Sequence, residues 1–285
     1  MARILITGTS KGIGYDTTLV LARAGHEVIA TMRNPAASDL EKKAREAKLP
    51  VTVLPMDVND EVSVEDVFGK HGDSIDVLVN NAGIFSIEAV EDESFDQYRR
   101  VMETNYFGAV RCVKRVLPAM RERGSGCIIN VTSIAGRIAF YSSSAYAASK
   151  FALEAFTECL AQEVKSHGIK VALVEPGIID SPMATSSLPE YNKNSIYPHG
   201  RRMHAIFKNP DKPEASPTLV GDMIRYVIES NDPRLRFPVG PDAHPFLGWR
   251  GAVSDEDWVG LNSLASDADY YQRLFTDTGV DLRSK

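Results

Sequence analysis

The sequence of 285 residues predicts a single α/β domain in which a doubly wound parallel sheet lies between two layers of helices. Three observations support this prediction. Short apolar segments alternate with helical patterns, a glycine-rich turn separates the first strand from the first helix, and polar residues follow several strands. Because open parallel sheets bind ligands beyond the carboxyl ends of their strands, these polar residues indicate one shared site at that edge.

The first strand and the turn after it predict a dinucleotide site. Residues Arg3–Thr7 are a short apolar strand, followed by GTSKGIG at 8–14, a helical pattern that stops at Gly25, and a second strand at Glu27–Met32. Glycines let the backbone approach a pyrophosphate closely, and the helix N-terminus carries partial positive charge. A tight turn without a ligand is the alternative interpretation of this motif taken alone.

The end of the second strand favours NADP(H) over NAD(H). Enzymes that use NAD commonly place an acidic residue there to bind the ribose 2′-hydroxyl. This chain has Arg33 and no carboxylate, and Lys11 of the glycine turn could reach the same phosphate from the other side. Guanidinium groups match phosphate geometry well. The alternative for each residue is a solvated surface cation.

Five further apolar segments predict the other strands, at residues 51–54, 75–79, 127–131, 171–174 and Arg236–Val239. The helical patterns between them lie at 39–49, 61–68, 95–123, 145–166 and 218–230. Pro118 is expected to bend or interrupt the longest of these helices. Asp57 follows the third strand and Asn81-Ala82-Gly83 follows the fourth, so both should lie beside the glycine turn. Ordinary turn chemistry is the alternative for these residues.

A tyrosine and a lysine carry the predicted chemistry. Tyr146 and Lys150 stand four residues apart in an alanine-rich helical segment, so their side chains should project from one face of the helix. A nearby cation lowers the pKa of a phenol, which is about 10 in isolation. Ser133 follows the fifth strand, and the loop-like segment after it could bring its hydroxyl to the phenol. A surface tyrosine with a solvated lysine is the alternative.

The chain resembles the short-chain dehydrogenase/reductase family over about its first 185 residues. The matching motifs are TGTSKGIG at 7–14, Asp57, NNAG at 80–83, Asn105, Ser133, YAASK at 146–150, and PG at 176–177 with Ser181. They occur in the family's order and at suitable spacings. Ser181 departs from the more usual threonine but keeps the hydroxyl. The segments TNYFGAVR and YAASKFALE look most like the hydroxysteroid and retinol dehydrogenase branch.

The resemblance implies a Rossmann-type fold and a role for each matching residue. Tyr146 would be the general acid or base, and Lys150 would lower its pKa and bind the nicotinamide ribose. Ser133 would hold the substrate oxygen, and Asn105 would position a water that links Lys150 to solvent. Besides Tyr146 and Lys150, the cofactor would contact Gly8, Ser10, Lys11, Ile13, Arg33, Asp57, Val58, Asn81, Ala82, Gly83, Pro176, Gly177, Ile179 and Ser181.

Composition narrows the possible partners and location. A net charge of −6 provides no overall basic field for nucleic acid or an anionic membrane. Cys112, Cys127 and Cys159 show no metal or CxxC spacing and indicate reduced thiols in a cytoplasmic protein. The histidines form no HExxH motif, so we expect no metal. No apolar segment approaches the length of a membrane span, and no leader pattern precedes the first strand.

Two regions lie outside the clearest motifs. Residues 183–217 are rich in proline and are predicted to be a substrate lid. Apolar lid side chains could line the substrate site while basic ones meet a polar group; these are Tyr191, Tyr197, Met203, Ile206, Phe207, His199, Arg201, Arg202 and His204. Packing on the core is the alternative. The aromatic extension at 241–285 could close the pocket or make a subunit contact, and the resemblance implies a homodimer or homotetramer.

The favoured function is an NADP(H)-dependent oxidoreductase that interconverts a ketone or aldehyde and an alcohol on a fairly apolar substrate. A catalytically silent NADP-binding sensor or scaffold is one alternative, although it would need none of Asn105, Ser133, Tyr146 and Lys150. A ketoreductase for sugars or acyl-carrier substrates is the other. A hydrolase is disfavoured because no GxSxG motif surrounds Ser133.

Overall fold

A seven-stranded parallel sheet organises the computed structural model, which describes residues 1–283. The strand order is β3-β2-β1-β4-β5-β6-β7, so the chain direction across the sheet reverses between β1 and β4. The strands are β1 Arg3–Thr7, β2 Glu27–Met32, β3 Val51–Pro55, β4 Val77–Asn80, β5 Gly126–Val131, β6 Ile169–Pro176 and β7 Arg236–Val239. This reversal creates the crevice in which such sheets bind ligands.

Helices cover both faces of the sheet. They are α1 Gly12–Arg23, α2 Leu40–Glu46, α3 Glu61–His71, α4 Phe95–Met102, α5 Gly108–Arg123, α6 Ser144–Val164, α7 His199–Phe207, α8 Thr218–Glu229, α9 Ala243–Ala252, α10 Asp255–Asn262 and α11 Asp267–Thr278. One face packs against α1 and α8 through side chains such as Leu21 and Ile224. The other packs against α3, α5 and α6 through Phe68, Val116 and Leu160. The predicted three-layer fold is confirmed.

The strand pattern predicted the sheet closely, but one helix differs from the prediction. Residues 95–123 are interrupted at Glu103–Phe107, where a π-helical turn inserts one residue between α4 and α5. The expected interruption at Pro118 is wrong, since this proline lies inside α5. The helix continues through it because Val116 and Met120, on either side, are fully buried against the sheet.

Helix α2 ends in a motif that normally uses glycine. Lys48 has φ of 53° and lies in the left-handed region, while the Leu49 amide donates to the Ala44 carbonyl at 2.9 Å and the Lys48 amide donates to the Arg45 carbonyl at 3.1 Å. This is the Schellman arrangement. We expect Lys48→Gly to raise the free energy of unfolding by about 0.5–1 kcal/mol, since relief of the left-handed strain exceeds the added chain entropy.

Chemical denaturation measures this effect, and Ala47→Gly is the matched control. Ala47 has φ of −85°, so glycine relieves no strain there and should lower stability. Equal loss of stability in both variants would contradict the assignment of strain to Lys48.

Candidate active site

One cavity of about 780 Å³ opens at the carboxyl ends of the strands. Every predicted cofactor residue lines it, as do Ser133, Tyr146 and Lys150: Gly8, Ser10, Lys11, Ile13, Arg33, Asp57, Val58, Asn81, Ala82, Gly83, Pro176, Gly177, Ile179 and Ser181. Asn105 lies behind the cavity wall, as described below. The cavity therefore runs without interruption from the glycine turn to the predicted catalytic groups.

Hydrogen bonds from Asn81 fix the glycine turn against the end of β4. The Asn81 side-chain amide donates to the carbonyls of Thr7 and Gly8 at 2.9 and 3.0 Å, and the Thr7 hydroxyl accepts from the Asn81 and Ala82 amides, each at 3.0 Å. Gly8 has φ of 72°, and a Cβ there would lie 2.7 Å from the Ala82 Cα. The turn is thus built in a shape that only glycine can adopt, with α1 beginning directly behind it.

The two cations predicted at the ribose end both lie on the cavity rim. Arg33 and Lys11 are exposed, and they approach the cavity from β2 and the glycine turn respectively. The Lys11 ammonium donates to the Ser187 hydroxyl at 2.9 Å, which connects the turn to the segment over the cavity. Their positions fit the binding of a phosphate group between two positive side chains.

Tyr146, Ser133 and Lys150 meet at the opposite end of the cavity. Tyr146 and Lys150 project from α6, and the Lys150 ammonium lies 5.6 Å from the centroid of the Tyr146 ring. It donates to the Val131 carbonyl at 3.0 Å. The Ser133 hydroxyl donates to the Pro176 carbonyl at 3.2 Å, and its proximity to the phenol partly offsets the rise in the pKa of Tyr146. The predicted juxtaposition of the phenol, the hydroxyl and the ammonium is therefore present.

Burial controls the protonation of these groups in the protein alone. It raises the pKa of Tyr146 to about 12 despite the proximity of Ser133, and it lowers the pKa of Lys150 to about 8 although Glu154 opposes this change. In the protein alone, Lys150 therefore does not bring the pKa of the phenol below its ordinary value. The ammonium lies over the ring and is bonded to Val131, while the phenol loses much of its hydration.

Asn105 supports the catalytic wall from behind. It lies in the π-helical turn, where its Oδ1 accepts from the Ile84 amide at 2.8 Å. Its side-chain amide donates to the Ile84 carbonyl at 3.0 Å and to the Ser149 hydroxyl at 2.9 Å. These bonds tie the segment after β4 to α6. The expected contact of Asn105 with a water beside Lys150 stays a prediction, since its bonds here are to the protein.

The segment after β6 forms a rigid edge of the cavity. The Gly177 amide donates to the Val239 carbonyl at 2.8 Å, and the Ile178 amide donates to the Asp242 carboxylate at 2.8 Å. A Cβ on Gly177 would collide with that carboxylate. Ile179 and Ser181 are buried along the same edge. Asp242, near the last strand, is a support that the motifs did not indicate.

The comparisons with known proteins agree with this geometry. A family model described as short chain dehydrogenase matches residues 2–192. The chain belongs to this family. Retinol dehydrogenase 8 of Bos taurus is 42% identical over 254 residues, which cover 82% of this chain and 80% of that protein.

Two solved structures extend the comparison. A short-chain dehydrogenase from Streptomyces avermitilis superposes with a TM-score of 0.78 at 31% identity and covers 91% of this chain and 95% of its own. A variant of actinorhodin polyketide ketoreductase with NADPH superposes with a TM-score of 0.75 at 28% identity, covering 85% and 97% respectively. The fold and the family of this short-chain dehydrogenase are therefore shown by independent comparisons.

Residues 183–217, which the sequence predicts to be a lid, supply part of the predicted apolar wall. Met203, Ile206 and Phe207 of α7 line the cavity, as expected. Tyr191 and Tyr197 do not: the Tyr191 ring packs on His204, and the Tyr197 hydroxyl donates to Glu91 at 2.6 Å. Both residues lie on the far side of the lid, so their assignment to the cavity wall was wrong.

The basic lid residues hold α7 in place instead of meeting a substrate. Arg202 is fully buried, donates to the Asp267 carboxylate at 2.9 Å, and lies 4.6 Å from the centroid of the Tyr270 ring. Arg201 also donates to Asp267, at 2.6 Å. His204 donates to the Pro189 carbonyl, and His199 donates to the Asn262 carbonyl. The prediction of a polar substrate contact was wrong because these groups bond to the chain itself.

The C-terminal extension forms part of the cavity wall and bonds to the segment predicted to be a lid. Phe246 of α9 lines the cavity beside Phe140, with ring centroids 5.7 Å apart. Trp258 of α10 packs on Phe140 at 5.5 Å. Phe85 packs edge-on against Tyr146 at 4.7 Å and completes this aromatic wall. The loop at 84–94 gave no sequence signal for Phe85, whereas the aromatic extension was one of the predicted possibilities for closing the pocket.

Within residues 1–283, no group of three or more His, Cys, Asp or Glu side chains is arranged to hold a metal ion. In the same range, no helix combines the length and the apolar character needed to cross a membrane.

Proposed function

We propose that this chain is an NADP(H)-dependent oxidoreductase that interconverts a ketone or aldehyde and an alcohol on a fairly apolar substrate. The observation that carries the proposal is the meeting of Tyr146, Ser133 and Lys150 at one wall of a cavity that also contains the glycine turn. Apolar side chains also line this cavity: Phe85, which packs on Tyr146, and Phe140, Phe246, Met203, Ile206 and Phe207.

The residues of the chain divide the work of the reaction. When bound, the nicotinamide supplies or accepts the hydride. In the reductive direction the Tyr146 hydroxyl gives a proton to the substrate oxygen, and Ser133 donates a hydrogen bond that holds this oxygen in place. The Lys150 ammonium, which donates to the Val131 carbonyl, places a positive charge beside the phenolate that remains. Pro176, Gly177 and Ile179 exclude water along one edge of the cavity.

Residues on the rim of the cavity support the proposed preference for NADP(H). The glycine turn precedes the N-terminus of α1, and no acidic residue ends β2. Arg33 and Lys11 face the same rim, where a 2′-phosphate would lie between them. The solved ketoreductase with NADPH, at 28% identity, supports the same preference.

We expect Arg33→Asp to raise the KM for NADPH by about 10–100-fold and to shift preference toward NADH. The substitution removes a charge-assisted bond to phosphate and adds an acceptor for the ribose hydroxyl. Steady-state kinetics with both cofactors measure the change. Arg45→Asp is the control, because Arg45 is exposed on α2 and does not line the cavity. An unchanged ratio of NADPH to NADH efficiency would contradict the phosphate contact.

The substrate class follows from the cavity walls. The cavity is lined by aromatic and aliphatic side chains of Phe85, Phe140, Phe246 and α7, and the basic residues of α7 bond to the chain itself. This arrangement disfavours sugars, which need several hydrogen-bonding partners. Similarity to a polyketide ketoreductase keeps an acyl-carrier substrate as the second candidate.

A panel assay distinguishes these candidates. NADPH oxidation is followed with apolar ketones and aldehydes, including steroids and retinal, and with sugars and acyl thioesters. We expect the highest kcat/KM for an apolar carbonyl compound. NADPH binding without turnover of any member would favour the sensor or scaffold. The homo-oligomeric state and the cytoplasmic location stay predictions.

A further inference from the structure

Lys150 and Glu154 form hydrogen bonds with consecutive residues at the end of β5. They lie one turn apart on the same face of α6. Lys150 donates to the Val131 carbonyl at 3.0 Å, and Glu154 accepts from the Thr132 hydroxyl at 2.6 Å. The next residue is Ser133. The position of the Ser133 hydroxyl relative to Tyr146 therefore depends on two side chains from the helix that also carries Tyr146.

The segment after Ser133 lies directly on Glu154. A Cβ on Gly136 would be 2.8 Å from the Glu154 Cγ and 3.2 Å from the Lys150 carbonyl oxygen. Because Glu154 is only 4% exposed, this contact is closed to solvent. Glu154 thus holds the strand end from one side and supports the following turn from the other.

Glu154 belongs to a balanced group of charges behind the catalytic wall. Arg236 of β7 donates to Glu154 at 3.0 Å and to Glu158 at 2.7 Å. Glu175 of β6, fully buried, lies 3.4 Å from both Arg236 and Arg137. With Lys150, the group holds three basic and three acidic side chains, and burial together with the charge of Glu154 raises the pKa of Glu175 to about 7. Arg137, Arg236 and Glu158 reach solvent. On α6, Glu154 is one turn from Lys150 and Glu158 is two turns away, so Glu154 is the carboxylate nearest to Lys150 along this helix.

We propose that Glu154 is a positioning residue of the reaction: it fixes the Ser133-bearing end of β5 on α6 and places its carboxylate one helical turn from Lys150. The proposal rests on the function proposed above for Ser133, Tyr146 and Lys150. Glu154 does not line the cavity, so it acts through these groups and not on the substrate.

The direction of its electrostatic effect is defined. Burial lowers the pKa of Lys150 to about 8, and the negative charge of Glu154 opposes that change. Burial also raises the pKa of Glu154, while the bonds from Thr132 and Arg236 oppose the rise and favour the carboxylate. Loss of the carboxylate would therefore let Lys150 lose its proton at a lower pH.

Two substitutions separate the two parts of the proposal. Glu154→Gln keeps the size and an oxygen for Thr132 but removes the charge, and Arg236 retains Glu158 and Glu175. We expect the alkaline limb of the kcat profile to move to lower pH by about one unit. Thr132→Val removes the hydrogen bond to Glu154, whose carboxylate is still favoured by Arg236, so kcat should fall while the alkaline limb moves less than in Glu154→Gln. Glu158→Gln is the control, since Glu158 bonds Arg236 but not Thr132, and should leave the limb unchanged.

A second readout needs no substrate. NMR titration of ¹⁵N-labelled lysine side chains, assigned with Lys150→Met, should show the Lys150 midpoint lower in Glu154→Gln and unchanged in Glu158→Gln. If the wild-type chain turned over no substrate, this titration would still test the effect on Lys150. An unchanged Lys150 midpoint in Glu154→Gln, or an equal shift in Glu158→Gln, would overturn the electrostatic part. A normal kcat in Thr132→Val would overturn the positional part.

Discussion

Replacing Tyr146 with phenylalanine should lower turnover by roughly a hundred-fold to ten-thousand-fold and leave NADPH binding nearly unchanged. The substitution removes only the hydroxyl that faces Ser133. The ring keeps its edge-on contact with Phe85 at 4.7 Å and its position under the Lys150 ammonium. Binding of NADPH, followed by its fluorescence, and kcat with the best apolar substrate give the two quantities separately.

Tyr106→Phe is the matched control for this experiment. Tyr106 lies in the π-helical turn one residue after Asn105, but it packs on Phe107 and Phe156 and does not line the cavity. Its hydroxyl has no proposed role, so turnover should be retained. Wild-type turnover in Tyr146→Phe would refute the acid–base role of the phenol.

The second large effect concerns the lid. Asp267→Asn should cost about 3–5 kcal/mol of stability, because it leaves the fully buried Arg202 guanidinium without its carboxylate partner. It should also raise the KM for an apolar substrate more than it lowers kcat, since α7 carries Met203, Ile206 and Phe207 into the cavity. Urea unfolding measures the first effect and steady-state kinetics the second.

Asp96→Asn provides the comparison. Asp96 is also in the first turn of a helix and accepts from an arginine, Arg99, but that arginine is 74% exposed. Exposed pairs of this kind contribute up to about 1 kcal/mol, so this variant should stay close to the wild type. Equal losses in the two variants would mean that the buried pair does not hold the lid.

Local patterns were sufficient to predict the sheet and most of the site. Alternation of apolar segments with helices fixed the strands, and the four-residue spacing placed Tyr146 and Lys150 on one face of α6. Because the carboxyl ends of parallel strands lie at one edge of the sheet, Asp57 and Asn81 were predicted to lie beside the glycine turn, as they do. These features depend on periodicity and chain direction, which a sequence displays directly.

The parts that sequence reasoning missed depend on contacts between distant segments. The commitment of Arg202 to Asp267, 65 residues away, cannot be read from the lid alone. The π-helical turn at Asn105 fits one extra residue into a helix, and the residue types there look like those of an ordinary α-helix. The high pKa of Tyr146 reflects the partial loss of hydration of the phenol in the folded chain, which the spacing to Lys150 does not reveal.

The most direct test of the account follows the transferred hydrogen. NADPH labelled with deuterium at its transferable position is incubated with the wild-type chain and an apolar ketone, and the alcohol is analysed by mass spectrometry. We predict one deuterium on the carbinol carbon of the product, and loss of this product in Tyr146→Phe. Tight NADPH binding with no deuterated alcohol from any ketone or aldehyde tested would contradict the account.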